Sequence, residues 1–160
     1  MTWHERRYEK RDMLGLVSFG FFLALVGVIW IVTPNFFQEV REFFGDFKLE
    51  EEVFPNVFLP APESPHPVVY TAIARFCFVF GLFQIFILVL RFVFREPVDK
   101  IAGTFSSVVF WLGAGFIANM LSAETIKWFA FLGWIIVFIG LSLVIRSLVI
   151  LLFELTLRKD

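Results

Sequence analysis

The chain has 160 residues, of which 59% are hydrophobic and 24 are phenylalanine, and its 14 basic and 15 acidic side chains leave a net charge of −1. An ordinary soluble domain is about 45–50% apolar, so this chain has to place its excess apolar surface in lipid or against partner subunits. The charge balance excludes a nucleic-acid partner, and Cys77, the only cysteine, excludes an internal disulfide and any cysteine-only metal or redox motif.

A single membrane domain is predicted over residues 1–160, beginning with a basic tail over residues 1–12 that carries Arg6, Arg7, Lys10 and Arg11. The apolar run over 13–32 follows and is long enough to span, since a hydrocarbon core needs about 20 helical residues. It is too long for the apolar core of a signal peptide and no small-x-small cleavage site follows it, so it reads as a retained signal anchor. Next, Phe36, Phe37, Val40, Phe43, Phe44 and Phe47 fall at helical spacing on one face, with Gln38, Glu39, Arg41, Glu42 and Asp46 opposite. This predicts a short amphipathic helix over 34–47, lying in the membrane interface and anchored by those six apolar residues. Thr33 and Pro34 suit its N-cap and first position, and Gly45 suits its end. Pro55, Pro60, Pro62, Pro65 and Pro67 exclude regular helix from the loop over 48–67 and favour an extended segment.

Three further spans are predicted over 68–94, 101–121 and 128–153, before a short tail over 154–160. The links Arg95 to Lys100 and Ser122 to Lys127 are too short for anything but antiparallel neighbours. Arg6, Arg7, Lys10, Arg11, Arg91, Arg95, Lys100, Arg158 and Lys159 gather on one side of these spans; Arg41, Lys48 and Lys127 lie on the other among many carboxylates. Basic residues are retained in the cytoplasm. The expectation is therefore an all-α integral protein of the cell membrane, four transmembrane helices in an up-down bundle with both termini cytoplasmic and the interfacial helix on the outer side.

Helices in lipid associate where small residues let backbones approach. Each span carries such a stripe: Gly20, Ala24 and Gly27 in the first; Ala74, Cys77, Gly81 and Gln84 in the second; Gly103, Ser107, Ala114 and Ala118 in the third; Gly133, Gly140 and Ser147 in the fourth. The third span is richest in them and is expected to be the most surrounded. One stripe, that of the first span for instance, is a candidate oligomer contact.

Four polar residues at lipid depth are candidates for a pathway or for interhelical bonds. Arg75 lies about five residues inside its span, roughly 7–8 Å at the helical rise. Its guanidinium can snorkel to headgroups, pair with Glu39 or Glu42, or form an anion site. Arg146 falls near the opposite boundary, and Gln84 and Asn119 are amides suited to hydrogen bonds between helices. Beyond Arg146, the apolar stretch Ser147 to Phe153 calls for a tilted helix or a partner. No catalytic constellation, cofactor motif or metal-ligand spacing is present. The expected function is that of a non-enzymatic self-assembling or accessory membrane subunit, whose partners are the lipid bilayer and either its own copies or other membrane proteins. The alternative is an oligomeric channel or transporter for a small ion or solute.

Overall fold

The computed structural model describes residues 3–54 and 57–157, with side chains over 13–48 and 60–155. Among the described residues the elements are helices and one short hairpin: α1 (Trp3–Val32), α2 (Phe36–Gly45), β1 (Phe47–Phe54), β2 (Val57–Pro62), α3 (Pro67–Val93), α4 (Val98–Ser122) and α5 (Trp128–Leu157). Helices α1, α3, α4 and α5 are each long and apolar enough to cross a membrane, which makes this a multi-pass membrane protein.

Element ends follow local chemistry. Helix α1 starts well before the apolar run because the charged tail from Trp3 to Asp12 holds no glycine or proline and is rich in good helix formers. Helix α2 begins with its apolar pattern at Phe36, two residues later than expected, and leaves Phe47 to β1: Asn35, not Thr33, stands at the N-cap, in the left-handed region at φ 51° that asparagine tolerates best after glycine. Pro67 opens α3, where its missing N–H costs no helical bond. Helices α3 and α4 both end in a Schellman cap without glycine. Arg95 (φ 49°) and Glu124 (φ 55°) take the left-handed position, and the N–H groups of Glu96 and Thr125 reach back to the carbonyls of Arg91 and Met120.

The proline-rich segment is extended, as expected, but it also pairs. Strands β1 and β2 run antiparallel from Phe47 opposite Pro62 to Phe54 opposite Val57. The register slips between Lys48 and Glu51, where Pro60 stands on the other strand. Proline has no ladder donor, so it occupies an irregularity. An ion pair between Lys48 and Glu63 and a backbone bond from Glu63 N–H to the Asp46 carbonyl close the hairpin's base.

The α3–α4 seam is the centre of the molecule. The contacts Thr71–Ser122, Cys77–Gly115, Gly81–Leu112 and Arg91–Lys100 progress in opposite directions along the two helices, which therefore run antiparallel. Ile87 and Ala102 are wholly buried in this pair of helices. Helix α4 also receives α5, with Phe138 packed over Gly113. It has the largest share of buried positions among the four spans, as its small residues lead one to expect. Helix α1 is held differently: Phe21 stacks on Phe83 at 3.8 Å, and Phe22 sets its edge against Phe76 and Phe80 at 5.3 and 5.6 Å.

Beside the hairpin, Phe43, Val69, Tyr70 and Leu121 form a buried cluster, with Val40, Phe47, Ile126, Trp128 and Phe131 packed around it. The apolar side of α2 divides here. Val40, Phe43 and Phe47 turn towards the cluster and Phe36 is half-buried, whereas Phe37 and Phe44 remain exposed and Phe37 lies over Trp30 of α1.

Candidate functional site

At the end of the bundle formed by the α3–α4 turn, the side chains of four helices line an open groove of about 330 Å³. Helix α1 contributes Gly15 and Ser18, α3 Gln84 and Arg91, α4 Asp99, Lys100, Gly103, Thr104 and Ser107, and α5 Arg146. The groove is polar because α3 and α4 carry their hydrophilic residues where they converge on a turn that contains Glu96 and Pro97. A side chain at Gly15 or Gly103 would meet nothing within 4 Å, so the groove is unfilled on its α1 and α4 walls.

Its charges are arranged in pairs of unequal quality. Arg146 Nη2 donates to Asp99 Oδ1 at 2.8 Å, but both side chains are about half-exposed or more, and such a pair contributes less than about 1 kcal/mol. Arg91 Nη1 donates to the Lys100 carbonyl at 3.2 Å and lies 3.4 Å from Glu96 Oε2, with both side chains largely buried. That separation is ionic contact without a good hydrogen bond: among the described residues Glu96 Oε2 and Arg91 Nε have no hydrogen-bond partner. Among the described residues the lining holds Arg91, Lys100, Arg146 and Asp99, and Glu96 offsets Arg91 from outside the lining. Thr104 spends its hydroxyl on the Lys100 carbonyl at 3.0 Å. Gln84 is only 8% exposed and makes no hydrogen bond among the described residues. Its amide is not sealed in as Arg91 Nε and Glu96 Oε2 are, so it is open to the groove that it lines.

Of the polar residues singled out in the sequence, Gln84 and Arg146 meet in this groove, and Gly103 and Ser107 form part of its wall. Arg75 is elsewhere, exposed on α3 about 13 Å from Gln84 at the helical rise. It pairs with neither Glu39 nor Glu42, and Gln38 donates instead to Glu42. Asn119 is exposed on α4 and its side chain makes no hydrogen bond among the described residues. Gly81 and Ala114 lie in the α3–α4 seam, while Gly20, Ala24, Gly27, Gly133 and Gly140 face away from every described neighbour. Arg91 and Lys100 carry no signal in the sequence beyond their use as topology markers. Glu96, a carboxylate between them beside Pro97, is the one hint that their charges are locally balanced.

The opposite end of the bundle carries a second polar arrangement. Asp46, at the end of α2, accepts the Ser64 N–H at 2.7 Å and binds His66 Nε2 at 3.0 Å, while Phe43 sets its ring edge-on to His66. The Ser64 amide and then the His66 ring hold the Asp46 carboxyl below its ordinary 3.8. This link ties α2 to the start of α3. Thr71 Oγ1 and Ser122 Oγ, 2.6 Å apart, tie α3 to the end of α4.

No family model matches the chain, and comparison with curated proteins and with solved structures finds no significant relative.

Proposed function

We propose that the protein is a non-enzymatic subunit of the cell membrane that assembles with its own copies or with other membrane proteins. In this reading the four spans form an up-down bundle with both termini cytoplasmic, and α2 is an amphipathic helix lying in the outer interface on Phe37 and Phe44. The observation that carries it is a contrast between stripes of the same kind. Gly81, Gly113 and Gly115 touch side chains of neighbouring helices, whereas Gly20 and Gly27 of α1 and Gly133 and Gly140 of α5 have nothing within reach of an added Cβ. Small residues have no advantage against lipid chains but permit close helix approach, so two of the four spans present contact surfaces that the bundle itself leaves unused.

Native mass spectrometry of the chain extracted in mild detergent tests this. The expected species is a homo-oligomer or a complex with unlike membrane subunits, lost on Gly20→Leu or Gly140→Leu without loss of the folded monomer. A wild-type monomer under these conditions overturns the reading.

A second reading, an oligomeric channel or transporter, draws on Gln84 and Arg146 sharing one groove. Four spans with so few polar residues enclose no wide pore alone, so copies would have to complete it. Liposome flux abolished by Gln84→Ala and Arg146→Ala would favour this reading; flux unchanged by both would dismiss it.

A further inference from the structure

We infer that the groove at the α3–α4 turn is a binding site for a phosphoryl anion of net negative charge, supplied either as the headgroup of an acidic phospholipid or as a free phosphate. Three features converge there. Arg91, Lys100 and Arg146 come from three different helices and all line this groove, and a tetrahedral anion presents oxygens in several directions at once. Arginine retains donors after one pairing: Arg146 gives Nη2 to Asp99 and has the rest of its five N–H groups to offer.

The second feature is Gln84, more than nine-tenths buried, on the groove wall and without a hydrogen-bond partner among the described residues. Its amide, which is not among the sealed polar atoms, has two donors to offer a molecule in the groove. Ser18 and Ser107 add hydroxyls beside it. The third feature is position. The groove runs from Gln84 to the turn that ends α3, about 10 Å at the helical rise, and opens where the apolar runs finish. Basic pockets between transmembrane helices at that depth accept acidic headgroups. The open walls at Gly15 and Gly103 leave room for the anion and for the first atoms of an attached chain.

The test is a thermal-unfolding titration of the detergent-solubilised full chain with inorganic phosphate, with chloride at matched ionic strength, and with mixed micelles of short-chain phosphatidylglycerol or phosphatidylcholine. Saturable stabilisation by phosphatidylglycerol, by phosphate or by both is expected, with little from phosphatidylcholine or chloride; the responding probe tells headgroup from soluble anion. Gln84→Leu and Arg146→Gln should each weaken that binding about ten-fold or more, the scale of a hydrogen bond to a charged group. Asp99→Asn should tighten it about three-fold by removing a like charge a few ångströms away, and Lys127→Gln, at the other end of the bundle, should leave it unchanged. Equal response to phosphatidylcholine and phosphatidylglycerol, no saturable response to either anion, or affinity indifferent to Gln84→Leu and Arg146→Gln would each overturn the proposal. The probe comparison on the unaltered chain decides the question even where a variant fails to fold.

Discussion

Helices α4 and α5 lie side by side, yet the less apolar of the two is the one that the bundle buries. Helix α4 has the lowest mean hydropathy of the four spans and more than half of its apolar window is inside the protein; α5 has the highest and none of its window is. In water this order would be reversed, because burial follows hydrophobicity. In a bilayer the surrounding chains solvate leucine and phenylalanine as well as a protein interior does, so the polar and small residues gather inside and the bulky apolar ones face out. Helix α1 makes the same point from another side. It is as apolar as α3 and is held chiefly by aromatic contacts on α3, while its glycines face away.

The comparison is broken most directly at the glycines that α4 uses. A Cβ at Gly113 would overlap the ring of Phe138, and one at Gly81 would stand 2.7 Å from Leu112 Cδ2. Gly113→Leu should therefore destabilise the monomer by about 3 kcal/mol in a denaturing-detergent titration, the upper range of overpacking. Gly133→Leu, on the open face of α5, should cost the monomer almost nothing, and equal losses at both positions would contradict the inside-out arrangement.

Weaker effects sharpen it. Phe21→Ala removes the closest ring stack between α1 and α3 and should loosen that contact by about 1 kcal/mol, read as a broadened distance between spin labels on the two helices while the α3–α4 distance stays narrow. Glu124→Gly relieves a left-handed conformation that costs a non-glycine residue about 1 kcal/mol, and should raise the unfolding midpoint by a comparable amount. Thr71→Val breaks the bond to Ser122, and side-chain hydrogen bonds between membrane helices average only about 0.6 kcal/mol.

The smallest effect belongs to the α2 end. The bonds that hold Asp46 below 3.8 favour its charged form in the folded protein, so their contribution is complete above that value and is lost as the pH falls below it. Exchange protection of the α2 amides should be level from neutral pH to about 5 and fall below about 4. Asp46→Asn should be low in protection throughout and flat with pH.

Several features of this fold were legible from residues alone. The spacing of apolar runs located the spans, the small residues of the third span marked it as the most surrounded helix, and the prolines pointed to the absence of helix over the described residues 57–66. The Schellman caps at Arg95 and Glu124 were not legible, because their usual signal is glycine and neither position has one. Nor was the pairing of β1 with β2, since proline in a strand argues against a ladder and only the local slip opposite Pro60 accommodates it.

What the sequence by itself determined is whatever depends on one segment and its solvent: which stretches enter lipid, where charge accumulates, and where helix cannot form. Which stripes of small residues touch a neighbour was decided only by the tertiary structure. Gly81 and Gly20 look alike along the chain and differ solely in what stands opposite. The groove belongs to the same class. Ser18, Gln84, Lys100 and Arg146 are far apart in sequence and share a face only because α1, α3, α4 and α5 converge at one end of the bundle. Segment-by-segment reasoning is blind to such convergence, for the free energy of a polar group in lipid is set by the partners that the fold places around it.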